Sequence, residues 1–401
     1  MTNSPARSLT AILVCGSVIV TLAMGIRHGL GLFLGPMSTD LGWNREVFSF
    51  AIALQNLLWG AAQPLAGGLA DRYGAPRVII GGALMYAAGL ALMTISAVPV
   101  AFSLSAGVLI GLSLSGVTYS VIYGVVGRSF PAHKRSQAMG YIAAAGSFGQ
   151  FMMVPVEQWL IGGIGWSDAL LVLGLIALIM APTALGLSEP KRAHAAGSQT
   201  IRQALAEAFQ NGSFWLLTAG YFVCGFQVVF IAIHLPAYLK DHGFGPNVAV
   251  TALALIGLFN IIGTWAAGSL GARLPKKHLL TFIYATRSVV IALFLLAPLS
   301  PTSVYVFASA MGILWLSTIP LTNGIVGVVF GVRYLAMLGG FVFFSHQIGS
   351  FFGVWLGGLI YDRTGNYNAV WMIAIALGIF AALINLPIRE KPLARLAATA
   401  A

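Results

Sequence analysis

Charged residues are scarce in this chain of 401 residues: they make up 8% of it, whereas 58% belongs to the hydrophobic set. The mean hydropathy is +0.90. A soluble domain carries roughly a quarter charged residues, so this chain has too little polar surface to face water on all sides. The scarcity excludes a soluble protein and predicts an integral membrane protein.

Acidic residues are the rarer of the two charge signs, with ten Asp and Glu against 21 Lys and Arg and a net charge of +11. Only Glu157 lies well inside an apolar run, toward its end. A cavity lined by such helices would have no carboxylate at mid-membrane, would be net positive, and would suit an anion rather than a cation. The basic residues cluster in short connections and form no single broad face, so no nucleic-acid partner is expected.

Motifs for catalysis and for nucleotide-driven pumping are missing as well. The sequence contains no G-x-x-x-x-G-K-[ST] phosphate loop, no His/Glu metal motif, no paired mid-membrane carboxylates and no lipase-like serine elbow. We therefore expect no enzyme, no cofactor and no metal. The two cysteines, Cys15 and Cys224, both lie in apolar runs and are predicted to pack there rather than form a disulfide.

Long apolar runs are what the sequence has in abundance. A window of about 20 residues predicts twelve helices, at residues 9–35, 45–70, 78–98, 100–128, 137–163, 166–187, 214–240, 247–271, 278–298, 302–330, 336–361 and 367–388. The only long polar connection predicts a linker that carries a short amphipathic helix. We expect an all-α polytopic membrane protein of two pseudo-symmetric six-helix bundles, at residues 1–188 and 214–401, joined by a linker at 189–213.

The distribution of positive charge predicts the orientation of these helices. With an even number of spans both termini face the same side, and the connections on that side hold 16 of the 21 Lys and Arg. The opposite connections hold only Arg45, Lys240 and Arg363. The positive-inside rule then predicts that both termini are cytoplasmic.

The two sets of helices also repeat each other at an offset of about 200 residues. The repeat pairs Gly25 with Gly225, Pro36 with Pro236, Gly149 with Gly349, and Phe151 with Phe351. Parallel six-helix halves of this kind are typical of carriers that work by alternating access and hold the substrate between the halves near mid-membrane.

Two connections carry a recognisable pattern. GGLADRYGAPR, residues 67–77, and VVGRSFPAHKRSQAMG, residues 125–140, resemble the two common loop signatures of the major facilitator superfamily. The resemblance implies a cytoplasmic gate motif in which Asp71 accepts from the first turn of a neighbouring helix, while basic residues bind carbonyl ends or lipid phosphate. Its members here would be Gly67, Asp71, Arg72, Arg77 and Arg135.

The passage GLFLGPMSTDLGWNREVFSFAIAL, residues 31–54, resembles bacterial relatives of the monocarboxylate transporters and oxalate/formate antiporters. That resemblance implies small organic monocarboxylates or dicarboxylates as substrates, moved with a proton or by exchange. Many monocarboxylate transporters carry an Asp and Arg pair in helix 8, where this chain has neutral Asn260 and Thr264. The helix 11 cation of the oxalate carrier has no Lys or Arg counterpart either, so another set of residues must bind a carboxylate here.

Arg27 and His28, in the first span, are the leading candidates for that set. Arg27 lies nine residues before Pro36, about 13 Å along a helix. Its side chain either snorkels toward the membrane surface or faces the cavity, where its planar fork would bind a carboxylate. His28 either carries a proton or is hydrogen-bonded within the wall of the cavity.

Further substrate-binding candidates are spread over four other spans. Gln227 is the repeat counterpart of Arg27, which favours a second binding donor there, and His346 is a second proton-coupling candidate. The tyrosine among them either forms part of an aromatic wall of the cavity or packs against neighbouring helices. The set comprises Tyr119, Gln227, Asn260, His346 and Gln347.

We expect from these features a secondary active transporter of a small organic anion that works by alternating access, as proton symport or anion exchange. An exporter of amphipathic drugs or metabolites is the alternative, and a membrane receptor is a further one. The expected partners are the anion, a proton and membrane lipid. The chain is expected to be a monomer in the inner membrane of a bacterium.

Overall fold

The computed structural model describes residues 8–130, 132–188, 200–331 and 334–393, without the side chains of residues 71, 132–137 and 336. The described residues form helices and short connections, and no strand occurs among them. The chain is all-α, as the hydropathy pattern predicts.

Twelve long helices make up the bundle. The first six are α1 Leu9–Leu41, α2 Arg45–Tyr73, α3 Ala75–Thr94, α4 Pro99–Ser129, α5 at residues 132–164 and α6 at residues 166–187. The last six are α7 Gly212–Asp241, α8 Pro246–Gly271, α9 Lys276–Leu296, α10 Pro301–Phe330, α11 Leu335–Thr364 and α12 Asn368–Asn385. Helices α5 and α6 are separated by a non-helical residue, Gly165, whose φ of 82° favours glycine. Between the halves, a capping box at Thr200 starts the short helix Ile201–Phe209, as the linker pattern predicts.

Glycines of the internal repeat lie where helices approach each other closely. A Cβ on Gly149 of α5 would lie 2.2 Å from the Thr21 carbonyl oxygen of α1. In the second half, a Cβ on Gly349 of α11 would lie 1.9 Å from the Phe222 carbonyl oxygen of α7. Small residues at such positions let backbones touch, which drives helix packing in membranes. The repeat therefore preserves two equivalent helix contacts, α1 with α5 and α7 with α11.

The two halves meet along α2 with α11 and along α5 with α8. We call the end of the bundle with connections 42–44, 95–98, 242–245, 297–300 and 365–367 the distal end. The other end, which contains Ser8 and Leu393, is the terminal end. At the distal end α1 packs on α7, where a Cβ on Gly31 would lie 2.5 Å from the Ala232 carbonyl oxygen.

Three helices are interrupted close to mid-bundle. Helix α1 tightens to a 3-10 turn at Leu30–Phe33, immediately after Arg27 and His28. Helix α4 breaks at Thr118, and α10 breaks around residues 315–317, at the equivalent place in the second half. Irregular backbone in a membrane is tolerated only where protein or a cavity satisfies its polar groups. The interruptions therefore mark the central layer in which polar side chains collect.

The close contact of α7 with α11 predicts a stability difference between two glycines of α11. Gly349→Ala forces the two backbones apart and is expected to destabilise the protein by about 1–3 kcal/mol, as overpacking does. Gly340→Ala is the matched control, because a Cβ there has open space and alanine is the better helix former. The measurement is the thermal midpoint in detergent, and equal midpoints for the two variants would contradict the close contact.

Candidate functional site

Arg27 points into the bundle. Its side chain is only 8% exposed, and its Nη2 donates to the Asn56 side-chain oxygen of α2. The guanidinium lies over the Trp59 ring at 4.8 Å from the centroid. Its Nε has no hydrogen-bond partner among the described residues, and none of their carboxylates pairs with it. The cation is therefore held by one amide and one aromatic face, with donor capacity to spare.

A row of polar groups runs from Arg27 into the other half. The backbone oxygen of Asn56 accepts a 3.1 Å hydrogen bond from Gln347 Nε2 of α11. The Gln347 side-chain oxygen in turn accepts from His346 Nδ1 at 3.0 Å. We call Arg27, Asn56, Gln347 and His346 the central polar row. It brings together three residues that the sequence singled out and joins the two halves at mid-bundle.

Glycine at position 60 makes room for this crossing. A Cβ there would lie 2.7 Å from the Gln347 side chain, so a larger residue would push α11 away from α2. Trp59 is anchored as well, because its Nε1 donates to Thr118 Oγ1 at the break of α4 at 3.1 Å. The surroundings of Arg27 are thus fixed by α2, α4 and α11 together.

Asn260 forms a second polar link between the halves. Its Nδ2 donates to Ser147 Oγ of α5 at 2.9 Å, and its oxygen accepts from the Leu316 backbone N–H at 3.0 Å. Leu316 lies in the break of α10, so Asn260 satisfies a backbone donor that helix geometry leaves free. Nearby, Gln150 Nε2 of α5 donates to the Leu253 oxygen of α8 at 3.1 Å.

Three of the predicted site residues stand apart from the central polar row. Gln227 is fully buried and donates to the Ala374 oxygen of α12 at 2.8 Å, so it faces away from Arg27 instead of providing a second donor beside it. His28 donates from Nδ1 to the Met24 oxygen of its own helix at 2.6 Å. Tyr119 lies within electrostatic reach of Arg27, with its hydroxyl against Gly146.

Arg287 of α9 has a structural environment. It is fully buried, and its guanidinium donates to the Leu314 and Trp315 carbonyl oxygens at the break of α10 and to the Cys224 thiol. These partners belong to its own half. Arg287 therefore donates to the backbone carbonyl groups that the interruption of α10 leaves without an intrahelical partner.

Charged groups near the ends of α2, α7 and α11 close the distal end. Arg45 at the start of α2 binds both carboxylate oxygens of Asp241 at the end of α7, at 2.8 and 2.5 Å. The carboxylate of Asp362 accepts from the Arg45 and Glu46 backbone N–H groups at 3.2 and 2.7 Å, so α11 caps the first turn of α2. Tyr367 accepts from Arg45 Nη1 at 2.8 Å. We call Arg45, Glu46, Asp241, Asp362 and Tyr367 the distal latch.

The predicted gate motif lies at the terminal end of the bundle. Of the predicted gate motif, the Arg72 guanidinium lies 5.2 Å from the centroid of the Tyr73 ring, and Arg77 donates to the Tyr73 backbone oxygen at 3.4 Å. Gly67 has open space around it. The side chains of Asp71 and Arg135 lie outside the described residues.

Comparison with known proteins identifies this architecture. The profile of the Major Facilitator Superfamily matches residues 13–353. The chain belongs to the major facilitator superfamily. It is therefore a multi-pass membrane transporter of this superfamily and not an enzyme.

Relatives of this superfamily member cover almost its full length. Monocarboxylate transporter 13 of Bos taurus is 25% identical over 389 residues, which cover 91% of this chain and 86% of the bovine protein. The Uncharacterized MFS-type transporter YcxA of Bacillus subtilis (strain 168) is 25% identical over 393 residues, 92% of either chain. A bacterial homolog to the human lysosomal transporter Spinster, in an inward-facing and occupied conformation, has the same fold, with a TM-score of 0.74 at 14% identity over 94% of this chain and 96% of that one.

The two buried arginines of this major facilitator transporter should differ in their effect on stability. Arg287→Met leaves the Leu314 and Trp315 carbonyls without their donor, and a buried orphaned group costs about 1–3 kcal/mol. Arg27→Met removes the donor to Asn56, which destabilises the protein, but it also removes an unpaired buried charge, which stabilises it. The two effects therefore offset each other. Thermal midpoints in detergent are expected to fall clearly for Arg287→Met and little for Arg27→Met, and the reverse order would contradict these assignments.

Proposed function

We propose that this transporter carries a small organic anion, a monocarboxylate or dicarboxylate, by alternating access of its two halves. The observation that carries the proposal is Arg27: a guanidinium near the centre of the bundle, without an anionic partner among the described residues, in contact with a polar row that reaches the other half. A buried cation of this kind favours a ligand that brings the opposite charge. The similarity to Monocarboxylate transporter 13 and Monocarboxylate transporter 11 supports the same substrate class.

The carboxylate would bind Arg27 through the free Nε and the Nη2 that Asn56 now occupies. Gln347 and His346 would contact the anion from the second half, and Asn260 and Tyr119 would line the same layer. Because the ligand would touch both halves, it would favour conformations in which they approach each other. Its binding is thereby linked to the rocking of the halves. His28 and His346 remain candidates for the proton that accompanies the anion.

An exporter of amphipathic drugs or metabolites remains the second candidate. Such exporters commonly use membrane acids at the centre of the bundle, and the acids described here lie at its ends or, for Glu157, near the distal end of α5. The anion carrier therefore explains more of the polar inventory.

The positive charge of the connections supports an orientation with both termini in the cytoplasm, so that the distal end faces outward. The conformation described here would then be closed to the outside. We place the transporter in the inner membrane of a bacterium, as a monomer in contact with lipid, operating by proton symport or anion exchange. Residues 8–188 and 212–393 would move as the two bodies.

Arg27-dependent binding is the direct test of the proposed substrate class. A panel of monocarboxylates and dicarboxylates is added to wild-type protein and to Arg27→Ala in a thermal-shift assay. A ligand at 100 times its Kd stabilises the protein that binds it by about 2.7 kcal/mol, and wild type alone is expected to respond. Arg202→Ala is the matched control, because this arginine is exposed on the short helix Ile201–Phe209 and belongs neither to the central polar row nor to the predicted gate motif.

Uptake or exchange of the stabilising anion in proteoliposomes completes this test. Saturable flux that Arg27→Ala loses and Arg202→Ala keeps is expected. Equal stabilisation of wild type and Arg27→Ala by every carboxylate in the panel would contradict the proposal.

Alternating access predicts that the distal latch controls opening of the distal end. Ser49→Cys is a suitable reporter, because Ser49 is fully buried between α2 and α11, where it contacts Gly358. Asp241→Asn removes the ion pair with Arg45 and is expected to increase thiol labelling of this reporter by about two- to fivefold, the range for a partly exposed pair. The protein without the reporter gives the background from Cys15 and Cys224.

Asp168→Asn is the control for this experiment, since Asp168 is an exposed carboxylate at the distal end outside the latch. Labelling that rises equally in Asp168→Asn and Asp241→Asn would argue against a latch.

A further inference from the structure

Glu157 of α5 is a buried acid that the proposed carrier does not use. Its side chain is fully buried, and neither carboxyl oxygen has a hydrogen-bond partner among the described residues. It lies eight residues before Gly165, about 12 Å along the helix. A carboxyl group without a partner inside a membrane protein is costly to keep and is commonly functional.

The carboxyl group occupies a space that α1 leaves open. A Cβ on Gly29 would lie 1.4 Å from Glu157 Oε2, so any other residue at position 29 would displace the acid. Gly29 directly precedes the 3-10 turn Leu30–Phe33 and follows His28. The acid is therefore packed against α1 where that helix changes its geometry.

The same face of α5 meets the second half. Gln150 lies seven residues before Glu157, which is two helical turns on the same side. Gln150 donates across the halves to the Leu253 oxygen of α8. Glu157 thus lies against Gly29 of α1, on the face of α5 that Gln150 shares at the junction of the halves, and to the distal side of the Gln150 contact. Separation of the halves at the distal end would open this face to water.

The charged and titratable groups around this junction are few. Helix α1 has Arg27 and His28 just before Gly29, and Tyr86 of α3 is within electrostatic reach of both Arg27 and Glu157. The opposing stretch of α8, residues 246–257, contains no ionisable residue. No cation among the described residues pairs with Glu157. An ionised carboxylate in this place would be buried without compensation, so the closed distal end holds the neutral acid.

We propose that Glu157 is a proton-binding site that exchanges its proton with water only when the distal end opens. On opening, the O–H bond breaks, the proton passes to water and the carboxylate is hydrated; on closing, a proton from water must re-form that bond before the acid is buried. The role as a coupling site rests on the proposed anion carrier, in which this proton would accompany the anion held at Arg27. Glu157, rather than a histidine, would then make the carrier a symporter.

The sign of the pH dependence follows from this cycle. The distal-closed conformation binds the proton and the distal-open one releases it, so acidification favours closure and a rise in pH favours opening. Labelling of the Ser49→Cys reporter at a constant thiolate concentration, or with a correction from a fully exposed cysteine, measures the open fraction. Between pH 5 and pH 8 the open-to-closed ratio is expected to rise about tenfold or more with Glu157 present.

Glu157→Gln is expected to abolish this rise and to keep the ratio at its low-pH value, because glutamine resembles the protonated acid. Asp168→Asn, His28→Gln and His346→Gln are expected to retain it. Glu157→Asp keeps a titratable group with a shorter reach, so its transition should survive at a different midpoint. A pH dependence in Glu157→Gln equal to that of wild type, or an unchanged midpoint in Glu157→Asp, would overturn the inference.

No organic anion is present in this assay, so its outcome is separate from that of the substrate test. Arg27→Ala is expected to retain the pH-dependent labelling even if it loses anion binding. A transporter that binds no carboxylate but still closes on acidification through Glu157 would refute the proposed substrate and leave the proton site in place.

Discussion

The burial of Arg27 is the constraint around which the centre of this transporter is organised. A cation can remain inside a membrane bundle only where neighbouring groups replace part of its hydration, and α2 supplies them through Asn56 and Trp59. Each of these residues forms a second hydrogen bond. Trp59 donates to Thr118 at the break of α4, and the Asn56 backbone oxygen accepts from Gln347 of α11. One charge in α1 therefore determines how α2, α4 and α11 meet.

The two halves share a backbone plan and differ in the side chains placed on it. Gly149 and Gly349 provide equivalent close contacts, and α4 and α10 break at equivalent depth. Residues at equivalent repeat positions nevertheless have different surroundings, since Arg27 points toward the junction of the halves whereas Gln227 faces α12. Duplication thus explains the scaffold, while the chemistry of the central layer depends on substitutions that made the halves unlike each other.

Hydropathy alone predicted the twelve helices, because a bilayer demands long apolar runs and α-helices satisfy their own backbone. The same pattern places Arg27, Asn260, His346 and Gln347 inside spans, and the structure buries all four within the bundle. The rotation of each helix is set by packing, which explains why Gln227 was expected beside Arg27 and lies elsewhere. The distal latch escaped prediction because Arg45 and Asp241 are 196 residues apart. The signal that could have pointed to it is the rarity of charge in the connections at the distal end.

The latch and the site are parts of one contact, because both lie along the line where α2 meets α11. Asp362 caps the first turn of α2 at the distal end of that line, and Gln347 binds the Asn56 backbone at mid-bundle. Separation of α2 from α11 that begins at the distal end would remove Asp362 from the first turn and then reach the contact of Gln347 with Asn56. Asn56 is also the residue that holds the Arg27 guanidinium. Under the proposed alternating access, a ligand that competes for Arg27 would act on the residue whose backbone is bound when the distal end is closed, and this would link the site to opening of the distal end.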